Sequence, residues 1–272
     1  MKLTLLLVML ASLGAPAPAQ SPAPSKPLII AHRGGAKEST ENTIAAFRRA
    51  VRLGAAGIET DLQLTRDGIV VIYHDDKYGR VEGLARDAGA RRVSELTYAE
   101  LTARPLAPVG DDTGGRRVPT LKDVLGEVTE GLLNLELKRG GRFEELVART
   151  IEQLKDFPAL DRVVLEPPDL ATAAKLRAAL GPRLKLHVNP GYDDQVPYET
   201  ALAKVLAFKP HSISVSFKKF SWEIADLAHR AGVEVWVWTV DSPEVARGVV
   251  LLGADAIKTD RPSLMLETFK PR

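Results

Sequence analysis

Eight short apolar runs separated by stretches of helical spacing constrain this chain more than any other feature. The runs fall near 28–32, 57–63, 132–137, 162–166, 184–188, 212–216, 233–238 and 255–258. Apolar residues recurring three and four apart predict helices near 42–53, 120–129, 142–156, 169–180, 196–207, 219–231 and 242–252. Strands that alternate with helices build a parallel sheet covered by those helices. With 272 residues the chain can bury one large core. A further apolar run near 69–74 is left over as the return arm of a hairpin. The segment 75–117 fits no strand–helix repeat. Its glycines, charges and the pair Pro105 and Pro108 predict an inserted cap beside a site, since long insertions of this kind are usually functional.

The hairpin is the richest local signal. Gly57 to Leu64 alternates small or apolar with polar residues, Ile69 to Tyr73 is branched and apolar, and Arg66-Asp67-Gly68 supplies the turn. Side chains two apart on a strand share a face, so Glu59 and Asp61 point the same way. A turn centred between Arg66 and Asp67 sets Glu59 opposite His74. Two carboxylates and a histidine then meet with no help from the rest of the fold. A strand with Glu and Asp two apart is more often a solvated face, but carboxylates beside a run as apolar as Ile69-Val70-Val71-Ile72 need partners.

Two other segments carry chemistry. Leu28 to Ala31 is an apolar strand running into His32-Arg33-Gly34-Gly35, and Asn42 or Thr43 then caps a helix. A His-Arg pair at a strand end, followed by glycines that admit a ligand, suits an anion site. In Leu132 to Lys138, Asn134, Glu136 and Lys138 share one face and Leu133, Leu135 and Leu137 the other. Polar residues near the C-terminal end of an apolar strand suit a barrel site, and equally a salt bridge on an edge strand.

Together these segments resemble the glycerophosphodiester phosphodiesterase family. The resemblance rests on His32-Arg33-Gly34, Glu41-Asn42-Thr43, the hairpin from Glu59 to Asp75, and Val118-Pro119-Thr120-Leu121. It continues through Leu135-Glu136-Leu137-Lys138, Trp238-Thr239-Val240-Asp241 and Thr259-Asp260-Arg261-Pro262. The motifs stand in family order over most of the chain. The resemblance implies a (β/α)8 TIM-type barrel over 27–272. It implies one divalent metal ion, Mg²⁺ or Ca²⁺, held by Glu59, Asp61 and Glu136, and an acid–base pair of His32 and His74. It also implies that Arg33 and Lys138 hold a phosphate. The implied activity is metal-dependent hydrolysis of glycerophosphodiesters to glycerol 3-phosphate and an alcohol.

Further residues have weaker claims. Trp238, at a strand's C-terminal end, either lines a substrate pocket or packs. Glu41 either backs the site or merely begins a helix. His187 ends a strand and is more often structural than not, as are His211 and His229. Asp260 is expected to bond backbone at the last turn, and Lys218-Lys219 to be a solvated helix start. Several positions depart from the family's usual pattern: Thr40, the segment from Asp76 to Gly83, Glu166-Pro167-Pro168-Asp169, and Ala256 with Lys258. The metal and acid–base positions are kept, so the departures bear on substrate choice. A related metal phospholipase D acting on sphingomyelin or lysolipids usually carries a cysteine-rich loop, and this chain has no cysteine. A barrel that only binds would need no acid–base pair.

Composition sets the remaining bounds. A net charge of +2 gives no general nucleic-acid surface. The lack of cysteine excludes disulfides and thiolate metal sites. Lys2, the apolar stretch from Leu3 to Leu13 and Ala17-Pro18-Ala19 predict a cleavable signal peptide over 1–19, followed by a flexible leader over 20–26. The apolar stretch is too short for a comfortable membrane span, and no lipidation cysteine follows it. These features predict a periplasmic or secreted protein without a stable membrane anchor, acting on a small glycerophosphodiester.

Overall fold

The computed structural model describes residues 26–84, 91–109, 115–192 and 195–271. The expected signal peptide and nearly all of the leader lie outside the described residues. In chain order the elements are β1 (Leu28–His32), α1 (Ile44–Arg52), β2 (Gly57–Leu64), β3 (Val70–Ile72), α2 (Tyr98–Leu101) and α3 (Leu121–Glu127). Next come β4 (Leu132–Leu137), α4 (Phe143–Leu154), β5 (Val163–Glu166), α5 (Leu170–Leu180), β6 (Lys185–Val188) and α6 (Tyr198–Phe208). The last are β7 (Ser212–Ser216), α7 (Trp222–Arg230), β8 (Glu234–Trp238), α8 (Pro243–Leu251), β9 (Ala256–Thr259) and α9 (Pro262–Thr268). The strands follow the apolar runs closely. The helix α9 has no counterpart in the sequence pattern, because Pro262 and its short length hide the periodicity.

Eight parallel strands close into a ring in the order β1-β9-β8-β7-β6-β5-β4-β2, with β1 paired to β2, and β3 stands outside it, antiparallel to β2. This is a (β/α)8 barrel. Alternation along the strands sorts the side chains. Ile29, Ala31, Leu133, Leu135, Val163 and Leu165 pack outward against the helices in the main core. The opposite face fills the lumen, where Ile30, Val164, Trp236 and Ala256 form a small apolar plug. Above that plug, toward the C-terminal ends of the strands, the inward residues become polar.

The hairpin differs from expectation by one residue. Leu62 pairs with Ile72 and Leu64 with Val70, so the turn centres on Asp67. Thr65 sets that register: its Oγ1 accepts from the Ile69 amide at 3.0 Å and donates to Asp67 Oδ1 at 2.6 Å. Tyr73, not Ile72, lies across from Asp61, its amide donating to the Asp61 carbonyl at 2.9 Å. His74 therefore does not pair with Glu59 and comes to the site from just beyond the strand. A one-residue shift also sends Val71 and Tyr73 away from the main core. They pack with Val93, Leu96, Leu101 and Leu106 of the inserted segment, which thus has a small core of its own.

Candidate active site

Register brings three carboxylates together. Glu59 and Asp61 point inward from β2, and Glu136 of β4 is directly beside Asp61. Each of the three offers one oxygen within 4.8 Å of the others. Glu59 and Asp61 are only 2% and 1% exposed. Burial raises the Glu59 carboxyl pKa above its ordinary value, and the neighbouring Asp61 and Glu136 charges add to the shift, against the opposing charges of His32 and Lys258. Glu136 is raised too, by burial first and then by Glu166 and Asp61. Asp61 goes the other way. Burial opposes its ionisation, but His74, Lys138, Arg33 and a hydrogen bond from Asn42 together lower its pKa. The buried Asp61 Oδ1 receives no hydrogen bond. An acceptor left so, in a set made only of carboxylate oxygens, suits a hard divalent cation such as Mg²⁺ or Ca²⁺.

The two histidines are held alike. His32 Nδ1 lies 2.6 Å from Asp260 Oδ1, and His74 Nδ1 lies 2.7 Å from Asp75 Oδ1. A carboxylate at Nδ1 fixes the ring and leaves Nε2 for a substrate. His32 Nε2 is 3.8 Å from Glu59 Oε2. Burial alone would lower the His32 pKa, but Glu59 and Asp260 prevail and it is raised. Asp260 is thus a partner of His32 and not a backbone cap. The backbone role at this turn falls to Asp241, whose Oδ1 accepts from the Asp260 amide at 2.8 Å.

A charged strut ties the insertion to this centre. Arg80 donates to Glu41 Oε1 at 2.7 Å and to Oε2 at 3.0 Å, and its Nε also donates to Asp75. Glu41 accepts from Arg33 Nη1 at 3.3 Å as well. Glu41 therefore backs the site and lies outside α1, whose cap is Thr43 through its contact with the Ala46 amide at 3.1 Å. With Thr43 as the cap, Asn42 is available to bond Asp61 Oδ2 at 3.0 Å while accepting from Thr60 Oγ1 at 2.7 Å. Its positive φ of 57° is a conformation that asparagine tolerates better than most residues. Asn42 and Asp260, read from the sequence as a helix cap and a backbone partner, instead hold Asp61 and His32, and Asp75 and Arg80, which the sequence patterns leave unassigned, stand beside them. Only the Glu-Asn-Thr and His-Asp spacings hint at them.

A cavity of about 270 Å³ opens over the carboxylates, and His32, Arg33, His74, Glu136, Lys138 and Trp238 line it. Lys138 Nζ contacts Glu136 Oε1 at 3.0 Å and lies 3.6 Å from Asp61 Oδ1. The Arg33 amide donates to Glu59 Oε2 at 3.1 Å, while Arg33 Nε is buried without a hydrogen-bond partner. A guanidinium donor with no hydrogen bond, 3.8 Å from Asp61 Oδ2, suits an anion beside such a cavity. The glycines after Arg33 are also required by packing. A Cβ on Gly34 would lie 2.8 Å from Ala46 Cβ, and one on Gly35 would lie 2.8 Å from Pro262. They let α1 and α9 close on the strand end.

The remaining histidines do not line the cavity, although His187 Nε2 stands 3.8 Å from Glu166, which does. His187 is fully buried, bonded through Nδ1 to Ser212 Oγ at 2.7 Å, and burial followed by the Lys258 charge holds its pKa well below the ordinary value. His229 pairs with Asp255 at 2.9 Å, and His211 lies 3.6 Å from Glu234. Lys218 and Lys219 precede α7, which begins only at Trp222.

Residues 32–264 match the Glycerophosphoryl diester phosphodiesterase family. The chain belongs to this family. It is 30% identical over 251 residues to a glycerophosphodiester phosphodiesterase of Caldanaerobacter subterraneus subsp. tengcongensis, covering 90% of this chain and 98% of that protein. A crystal structure of a putative glycerophosphoryl diester phosphodiesterase from Silicibacter pomeroyi superposes with a TM-score of 0.80 at 25% identity, covering 91% of this chain and 94% of that one. An Oleispira antarctica phosphodiesterase in complex with the product sn-glycerol-3-phosphate superposes with a TM-score of 0.75 at 26% identity, over 89% of this chain and 96% of the other. In this phosphodiesterase chain the family match begins at His32, the strand-end histidine that faces the carboxylates.

Proposed function

We propose that this protein hydrolyses glycerophosphodiesters to glycerol 3-phosphate and an alcohol, with His32 and His74 as the acid–base pair. The single observation that carries the reading is the pair of carboxylate-anchored imidazoles lining one cavity beside the cluster of three carboxylates. Glu59, Asp61 and Glu136 would hold a divalent cation. When bound, that cation would act as a Lewis acid toward a phosphoryl oxygen. Arg33 and Lys138 add fixed positive charge where the phosphate's own negative charge would repel a nucleophile.

His32 Nε2 takes the proton from the attacking glycerol 2-hydroxyl. His74 Nε2 delivers a proton to the departing alcohol oxygen. The roles reverse when water opens the resulting cyclic phosphate. Asp260 and Asp75 stabilise the imidazolium formed at each stage. Asp260→Asn removes the carboxylate charge that helps raise the His32 pKa and leaves only a weaker neutral acceptor at Nδ1. Its pKa should therefore fall, and the acidic limb of the kcat/KM–pH profile should move to lower pH with a reduced plateau. An unmoved limb would take His32 out of the base role.

The reaction is tested by glycerol 3-phosphate release from glycerophosphocholine, with EDTA, Mg²⁺ or Ca²⁺. Release that stops with EDTA and returns with one cation is expected. No release with either cation would overturn the reading for this substrate.

A further inference from the structure

Two of the positions that depart from the family's pattern meet inside the barrel. Glu166 ends β5 and Lys258 lies on β9, strands on opposite sides of the ring. Lys258 Nζ donates to Glu166 Oε2 at 2.6 Å across the lumen, and the side chains are 4% and 3% exposed. Apolar branched residues ordinarily fill a barrel interior, as Ile30 and Val164 do in the layer below. A buried ion pair adds little over an apolar pair of the same volume, so stability does not account for it.

Both residues line the cavity beside Glu59. The ammonium has three donors. Among the described residues Lys258 Nζ makes one hydrogen bond, to Glu166, which leaves two N–H groups. Ser214, on β7, also lines this cavity, and its buried Oγ has no hydrogen-bond partner. The wall thus combines fixed donors with a carboxylate and a hydroxyl that can accept. A hydroxyl group, which both donates and accepts, matches that set. A phosphate oxygen would match only the donors and be repelled by Glu166.

We propose that Lys258, held in place by Glu166, binds a hydroxyl oxygen of the substrate's polyol and selects glycerol-type phosphodiesters over esters without a hydroxyl. The inference rests on the hydrolytic reading above. A site built to hydrogen-bond a hydroxyl rejects an analogue lacking it, because its buried polar groups are left unpaired.

The test is calorimetric binding of glycerol 3-phosphate and of methyl phosphate, with Mg²⁺ or Ca²⁺, to the wild type and to the double variant E166L/K258M. Changing both partners avoids stranding a single buried charge. The wild type is expected to prefer glycerol 3-phosphate by about 10-fold or more, as loss of a hydrogen bond to a charged group implies. The double variant is expected to lose that preference and hold the two ligands about equally. A preference that survives in the folded double variant would overturn the proposal. Turnover is not needed for this readout. A wild type that discriminates the ligands but releases no glycerol 3-phosphate would keep the hydroxyl assignment and overturn the hydrolytic one. Turnover with the same ligand preference in both proteins would do the reverse.

Discussion

Replacing His74 with alanine is expected to lower kcat by about 10²–10⁴-fold, and replacing His32 similarly, with circular dichroism unchanged. The two losses should differ in their dependence on the leaving group. An alcohol leaves poorly without a proton, whereas a p-nitrophenolate leaves well without one. The variant lacking the general acid should therefore recover most of its rate on a p-nitrophenyl diester, and the variant lacking the base should not. His74→Ala is the cleaner change, because its ring is 30% exposed and Asp75 keeps Arg80 as a partner. His32→Ala also deprives the part-buried Asp260 of its closest charge partner. Wild-type rates in either variant would remove that residue from the mechanism.

Glu59→Gln is expected to make the metal-free protein more stable while abolishing stabilisation by a divalent cation. The folded-state pKa of Glu59 is raised above 4.5, by burial first and by Asp61 and Glu136 next. Above about pH 4.5 the unfolded chain gives up this proton before the folded one does. The group therefore weakens the fold as pH rises through that window, and the ionised form is unfavourable at neutral pH. Glutamine removes the charge and can still accept from the Arg33 amide. Loss of a direct ligand should weaken cation binding by more than the roughly 10–100-fold that follows loss of a supporting partner. Thermal melts with EDTA and with cation would show both effects, since a ligand that binds only the folded state raises the melting temperature. A lower melting temperature in EDTA, or an intact cation shift, would sink the assignment of Glu59. Asp61→Asn should lose the cation shift without the gain, because Arg33, Lys138 and Asn42 already favour the Asp61 carboxylate.

Much of the site is legible in one dimension because it depends on short-range spacing. Inward and outward positions alternate along a strand, so spacing alone puts Glu59 with Asp61, and Glu136 with Lys138, on shared faces. The hairpin register is not legible to the residue. Thr65 moves the turn centre by half a residue, a register shift of one, and His74 comes off the strand instead of facing Glu59. The glycines after Arg33 read as ligand clearance, and that they also give clearance for two helices, one of them remote in sequence, is not legible.

Local periodicity, which a chain carries wherever it folds, is enough to set the alternation of strands and helices and the side chains that can share a face. Partnerships between distant segments have no such local signature and arise only in three dimensions. Asp260 joins His32 across 228 residues, Arg80 reaches back to Glu41, and Lys258 spans the ring to Glu166. Such pairs exist only once eight strands have closed into a barrel, because closure brings the first and last strands side by side and sets opposite strands face to face.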